Sequence, residues 1–437
     1  MSDDRKPVKS LAKGWASRTF SSAKVAASFG RVAAKQALNQ ARNILDEDDE
    51  SGDFLADRLD EMKGLALKMG QSASFMDGGL PPKIREKLAR LQSEARPMEW
   101  SAAEQVLQEA YGAGPDDVFE EFERTPFAAA SIGQVHRARY AGRSVAVKLQ
   151  YPGVSDTIGV DVGNIRKLSR FASLFTSVDG PAMVQELADR LREECDYRLE
   201  GANQQMFQRL FQDDRRVIIP GVEGPLCRKM VLVSDFAPGR TFQRFKEEAP
   251  QADRNSAGVL LFEFAMRAIF RHGVYNGDPH PGNYLFGEGQ VAFLDYGCVR
   301  RFDQPFIDTW KRFARAILDN DFAQWKEAFT AAGFVGSPKF DYERQWHDIH
   351  HLYEPMLTPN FQFTPEYSEK SWRVLLRDSP NLLYTTMPPA WLFVNRLQWG
   401  LYTILGHLHA QGDFRGVFRS VVDGPIELAI PVEPVGV

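Results

Sequence analysis

The stretch Asn276-Gly-Asp-Pro-His-Pro-Gly-Asn283 places an aspartate and an asparagine in one Pro/Gly-rich loop, and the chain runs on to a second aspartate in Asp295-Tyr-Gly297. Phosphoryl transfer uses such a set: one aspartate orients or deprotonates the attacking hydroxyl, while an asparagine and a second aspartate hold Mg²⁺ against the phosphates. Mg²⁺ takes hard oxygen ligands, of which Asn283 and Asp295 would supply two, with water and phosphate supplying the rest. The intervening Tyr284-Leu-Phe and Gln290-Val-Ala-Phe-Leu pieces read as a β-hairpin that brings the two loops together. His280, inside the first loop, reads as structural.

A Gly-Asp-Pro stretch alone is commonly a surface turn, and small-molecule phosphotransferases of the aminoglycoside and choline kinase type carry much the same loop. The reading therefore leans on what lies upstream. Val145-Ala-Val-Lys148 looks like a strand delivering one lysine to the α/β-phosphates, and such a lysine needs a carboxylate from an adjoining helix. The long polar helix expected over 182–212 offers several candidates: Asp196, Glu200 and Asn203 share a face while Glu194 points elsewhere, and with the lysine strand a Lys148–Glu200 pair is expected. Where a glycine-rich flap would cover phosphates the sequence has Phe127-Ala-Ala-Ala-Ser-Ile-Gly133, a stiffer turn whose backbone N–H groups remain able to cradle phosphate.

These residues need elements to hold them. Strands are expected over Ala128 to Tyr140 and Arg143 to Leu149 around an Ala141-Gly142 turn, then over Val217 to Ile219 and Lys229 to Asp235; beyond Gln243 the chain reads as mainly helical. Leu55, Leu59, Met62, Ala66, Met69, Ala73 and Met76 form one buried helical stripe, and Gly64, Lys68 and Gln71 run beside it. Residues 390–408 carry Asn395, Arg396, Gln398 and His407, which fits a buried amphipathic helix better than a membrane span.

The 437 residues, 43% hydrophobic and 25% charged, suffice for one large two-lobed domain or two ordinary ones. Cys195, Cys227 and Cys298 lie far apart, which suggests neither a disulfide framework nor a zinc site. A net charge of -5 argues against a general nucleic-acid binder. Charge is unevenly spread: from Arg5 to Arg42 every charged residue is basic, and Asp46-Glu-Asp-Asp-Glu50 follows. With Leu11, Trp15, Phe20, Val25, Phe29 and Val32 at roughly helical intervals, this segment reads either as a helix lying on anionic lipid or as a solvated tail. Its composition is also that of an organellar transit peptide, Asp3 and Asp4 excepted. No secretory signal is expected.

Lys68-Met-Gly-Gln71, Ala128-Ala-Ala-Ser131, Val145-Ala-Val-Lys148, Glu194-Cys-Asp196 with Glu200, Asp278-Pro-His-Pro-Gly-Asn283 and Asp295-Tyr-Gly297, in this order, resemble the UbiB/AarF (ADCK-type) atypical kinase-like family over roughly residues 50 to 300. The resemblance implies an α+β, protein-kinase-like two-lobed fold with a helical N-terminal extension and a mainly helical C-lobe. The expected division is a basic segment at 1–50, the extension at 51–115, the N-lobe at 116–236 and the C-lobe at 237–437. ATP and Mg²⁺ are the implied cofactors. Lys148 would be the nucleotide lysine, Glu200 its partner, Asp278 the catalytic aspartate, and Asn283 and Asp295 the metal ligands. Ala128, Ala129, Ala130, Ser131, Asp235 and Ala237 would line the nucleotide.

Lys68, Gln71, Glu194 and Asp196 would belong to the family's own extension, packed where a protein substrate would dock, with Lys68 set against Glu194 or Asp196. The implied function is a Mg-dependent ATPase or kinase-like enzyme in isoprenoid-quinone (ubiquinone) or related lipid metabolism at a membrane surface. A protein or small-molecule kinase and an ATP-gated non-catalytic scaffold are the alternatives. Anionic or isoprenoid lipid and lipid-biosynthesis proteins are the implied partners. The expected place is the cytoplasm, at or near a membrane, or an organellar matrix if the basic segment is a transit peptide. The chain departs from the family in having Asn276 where a His is usual, and Ser234-Asp235 where the hinge often has Glu.

Overall fold

The computed structural model describes residues 97–130, 132–154, 194–276, 279–376, 378–386 and 388–436. The basic segment, the helix carrying Lys68 and Gln71, Ser131 and Asp278 lie outside the described residues. In chain order the elements are α1 (Trp100–Tyr111), α2 (Pro115–Val118), β1 (Glu121–Phe122), β2 (Ala128–Ala130), β3 (Gly133–Tyr140), β4 (Arg143–Gln150), α3 (Tyr197–Leu210), β5 (Val217–Ile218), β6 (Val231–Asp235), β7 (Arg240–Thr241), α4 (Phe242–Glu248) and α5 (Gln251–Phe270). There follow β8 (Val274–Asn276), β9 (Tyr284–Phe286), β10 (Val291–Phe293), β11 (Val299–Arg301), α6 (Gln304–Leu318), α7 (Phe322–Ala331), α8 (Tyr342–Leu357), β12 (Phe361–Gln362), α9 (Pro365–Leu376), α10 (Pro389–Leu408), β13 (Gln411–Gly412) and α11 (Phe414–Asp423).

The N-lobe is built on an antiparallel sheet of order β1-β3-β4-β6, with β2 paired to β3. Ala141 (φ 47°) and Gly142 (φ 73°) both turn through positive φ, the geometry a two-residue hairpin loop requires, and they fix the register of β3 on β4. Along β4 the side chains alternate: Val145, Val147 and Leu149 point into the core, so Lys148 must face the other way. The core face is covered by α1, whose Ala103, Val106 and Leu107 pack with Phe119, Val231 and Val233. The sequence-based division assigns α1 to the extension, but its apolar stripe closes the N-lobe core.

The second core surrounds α5, which is buried on nearly every side through Leu260, Leu261, Phe264, Ala268 and Ile269, with α6, α8, α10 and α11 also contributing to it. α3 connects the two cores. Phe207 in its second half and Phe211 at its C-cap pack on Phe264 at ring distances of 5.8 and 4.4 Å, while its first half lies under the sheet. β5 likewise leaves the N-lobe to pair in parallel with β10. The arrangement is the α+β, kinase-like two-lobed one. Among the described residues no helix is long and apolar enough to cross a membrane; α10 instead buries Val394, Leu397, Leu401, Ile404 and Leu405.

Asp214 ties the end of α3 to α5. Its carboxylate accepts hydrogen bonds from Arg216 (2.9 and 2.8 Å) and Arg267 (2.6 Å). The Arg216 hydrogen bond first, and Arg267 against some burial cost, hold this carboxyl well below the usual carboxylate range. A depressed folded pKa gives stability that is present above the unfolded value near 4 and lost as pH falls below it. Asp214→Asn is therefore expected to cost about 2 kcal/mol at pH 7 and much less near pH 3, measured by urea unfolding at both. An equal loss at both pH values would remove the charge from the explanation.

Candidate phosphoryl-transfer site

Lys148 leaves the face of the sheet opposite the N-lobe core, from the interior strand β4, and meets Glu200 of α3, with its ammonium donating at 2.7 and 2.9 Å to the two carboxylate oxygens. Glu200 is 3% exposed. Asp295 Oδ2 stands 3.6 Å from the same nitrogen. Burial opposes the Lys148 charge, but Glu200 and then Asp295 more than offset it, so the ammonium is held above its ordinary range. Burial pushes the Glu200 carboxyl up to about 7, opposed by Lys148 and reinforced by the like charges of Asp295 and Glu194.

Two strand pairings assemble the loops. β9 and β10 form the expected hairpin, with Phe293 opposite Tyr284 and the Leu294 amide donating to the Asn283 carbonyl at 3.0 Å, so Asn283 and Asp295 emerge at one end. β8 pairs with β11, Asn276 opposite Val299, which brings the segment before Asp278 beside the segment after Asp295. Asn276 then fastens them, its side-chain amide donating to the Asp295 carbonyl. Asp295 Oδ1 accepts from the Gly297 amide at 3.0 Å, which sets the carboxylate's direction. His280 Nδ1 accepts from the Gly282 amide at 3.0 Å, a local cap on the turn Pro281–Asn283. From below, α10 supports the loop: a Cβ at Gly400 would fall 2.3 Å from Pro279 Cγ, so only glycine allows this approach.

One expectation is corrected here. Glu194 does not point elsewhere: it is 7% exposed, and a Cβ built on Gly297 would meet Glu194 Cγ at 3.7 Å, Glu200 Oε2 at 3.5 Å and Asp295 Oδ1 at 3.5 Å. The helical phase is not continuous from Glu194 to Glu200, because the helix begins anew at Tyr197 with Asp196 as its N-cap, accepting from the Arg198 amide at 3.1 Å. For the same reason Asp196 does not share the Glu200 face; its carboxylate is engaged by the Arg198 guanidinium at 3.0 and 2.8 Å. Asn203 does face the site and donates to the Tyr296 carbonyl at 3.3 Å.

The remaining expected positions lie around this centre. Ala128, Ala129 and Ala130 form a strand, as expected from Ala128 onward, paired to Val135, Gln134 and Gly133. Asp235 ends β6 and is engaged by Arg143, with Ala237 half-buried just beyond. Tyr197 escaped the sequence reading. Its ring lies under the Lys148 ammonium at 4.9 Å, and its hydroxyl would be 2.8 Å from a Cβ on Gly133. The only sequence signal for it is its place directly after the Asp196 cap. Fully buried Tyr296 packs on Phe207 at 5.1 Å, linking the Asp295 loop to α3.

Two carboxylates, Glu200 and Asp295, meet the one Lys148 ammonium, with Glu194 beside Glu200, and this oxygen-rich lining suits a divalent cation. Asn283 and Asp295, hard oxygen donors at one end of the hairpin, are the residues that would hold Mg²⁺. When bound, the ion would neutralise phosphate charge.

A family model for the ABC1 atypical kinase-like domain matches residues 90–329. The chain is similar to the mitochondrial atypical kinase COQ8 of Schizosaccharomyces pombe, 32% identical over 65% of this chain and 47% of that protein. It is likewise similar to the mitochondrial atypical kinase COQ8B of Rattus norvegicus, 34% identical over 60% of this chain and 50% of that one. The chain thus spans about half the length of these curated relatives. Among solved structures, the Mycobacterium tuberculosis protein Rv3197 in complex with erythromycin superposes with a TM-score of 0.64 at 27% identity, over 84% of this chain and 95% of that one.

Proposed function

The chain belongs to the ABC1 atypical kinase-like family, and we propose that it binds Mg·ATP between its lobes as an atypical kinase-like ATPase serving isoprenoid-quinone (ubiquinone) or related lipid metabolism at a membrane surface. The observation that carries this reading is the closed Lys148–Glu200 pair with Asp295 at 3.6 Å. Lys148 is assigned to the α/β-phosphates and Glu200 to holding it extended. Asp278 is assigned to the attacking hydroxyl or water, and Asn283 and Asp295 to the metal. Lys68, Gln71 and Glu194 are assigned to the side of the cleft where a protein acceptor would enter, which favours water or a small acceptor over a protein. The named relatives are mitochondrial; this chain is proposed to lie peripherally at a membrane, where the basic segment from Arg5 to Arg42 meets anionic lipid.

The test is ATP turnover by the purified protein with Mg²⁺, with and without anionic liposomes. ADP formation that rises with liposomes is expected, with a loss of about 100-fold or more in Asp278→Asn. Deleting residues 1–45 should abolish the liposome effect. Binding of ATP without turnover would favour the scaffold reading, and transfer to generic peptides the protein-kinase reading.

A further inference from the structure

After α11 the chain continues through Gly424–Gly436 with no regular element, yet it is fastened along its length. The Glu427 and Ala429 amides donate to the carbonyls of Arg271 and His272, just past the end of α5, at 2.7 and 2.8 Å. The Arg271 guanidinium holds the Glu427 carboxylate, and Leu428 covers Gly273, where a Cβ would lie 2.5 Å from Leu428 Cδ2. Arg301 of β11 donates to the Ile430 carbonyl at 3.3 Å and also touches Met206 of α3 at 3.1 Å. Farther on, the Val435 amide donates to the Arg198 carbonyl in the first turn of α3 at 3.1 Å. Gly436 (φ 79°) reaches the loop at Gly224–Cys227, where a Cβ would fall 2.1 Å from the Cys227 carbonyl.

The end of this path lies behind the candidate site. Gly201 directly follows Glu200, so it faces about 100° around the helix from it. A Cβ on Gly201 would meet Val435 Cγ2 at 2.7 Å, Leu232 Cδ1 at 3.1 Å and Val222 Cγ1 at 3.4 Å. Leu232 is the cross-strand partner of Lys148. Val435 is thus a wedge packed behind the helix that carries Glu200 and beside the strand that pairs with Lys148. Pro425, Pro431 and Pro434 restrict the segment's freedom when it is released, which lowers the entropy cost of holding an irregular stretch in place.

We propose that Gly424–Gly436 is a strap and Val435 a positioning residue: anchored on the helical lobe, it seats α3 against the sheet and so holds Glu200 in register with Lys148. The mechanical half of this inference stands on the contacts alone; its effect on nucleotide rests on the reading under Proposed function. Val435→Asp in the full chain is the test, read by hydrogen exchange across the molecule and by Mg·ATP titration. Amides of Tyr197–Leu210 are expected to exchange about tenfold faster while α5 stays protected, and the Mg·ATP Kd to weaken about tenfold. Val435→Ile should restore both.

Unchanged exchange in Tyr197–Leu210 overturns the strap. Faster exchange with an unchanged Kd overturns the positioning role and leaves a structural tether. If the wild type itself fails to bind Mg·ATP, the proposed function falls and the exchange data alone decide the strap. Should Val435→Asp lose the protection of α5 as well, Val435→Ala reads the same two quantities with smaller amplitude.

Discussion

Asp295→Asn is expected to lose the thermal stabilisation that Mg²⁺ and ATP together give the wild type. The substitution is nearly isosteric and leaves the two fastenings of this loop that use the backbone, Asn276 to the Asp295 carbonyl and Asn203 to the Tyr296 carbonyl. The side-chain oxygen can still accept from Gly297. What disappears is one hard anionic oxygen beside Lys148, and with it one of the two proposed metal ligands. At ligand near 100 times Kd the wild type gains about 2.7 kcal/mol by linkage. The variant should melt close to the wild type without ligand and gain almost nothing from Mg·ATP; an unchanged Mg·ATP shift would refute the assignment of Asp295 to the metal.

Lys148→Ala should be the most damaging single change to both stability and activity. It leaves Glu200, 3% exposed and close to Asp295 and Glu194, without its lysine partner. Removing one partner of a buried pair costs about 3–5 kcal/mol, more than the intact pair contributes, because the carboxyl that remains is either an uncompensated charge or must take up a proton to be tolerated there. Glu200→Gln should cost less, since Lys148 keeps Asp295 at 3.6 Å. The double variant Lys148→Ala/Glu200→Gln should recover about 1–2 kcal/mol relative to the sum of the singles in urea unfolding. Additive losses would show that the two side chains do not act as a pair. ATP turnover should fall about 100-fold or more in Lys148→Ala, since a preorganised charge on the phosphates is absent.

Much of the site was legible because its signals are local. The Ala141-Gly142 turn and the alternation of Val145, Val147 and Leu149 specify a hairpin with Lys148 on the face opposite the core, and both are properties of neighbouring residues. The hairpin between Asn283 and Asp295 was readable for the same reason. The Ala-rich run reads both as the start of the strand from Ala128 and as a phosphate-covering turn, and Ala128–Ala130 take the strand form by pairing with Gly133–Val135.

By itself the sequence determined the order of the chemistry-bearing segments and the lysine strand, both carried by short-range spacing, and its resemblance to a kinase-like family implied the α+β class. Only the tertiary structure decided which carboxylates of the 194–200 segment face the site. A face assigned by helical phase holds only while the helix is unbroken, and the Asp196 cap resets that phase, bringing Glu194 in and turning Asp196 toward Arg198. Tertiary packing also assigned α1 to the N-lobe core, carried β5 onto β10, and brought Val435 back against Gly201. Those contacts join residues far apart in the chain, and no periodicity within either partner encodes them; they form because burying two complementary surfaces against each other outweighs the cost of closing the loop between them.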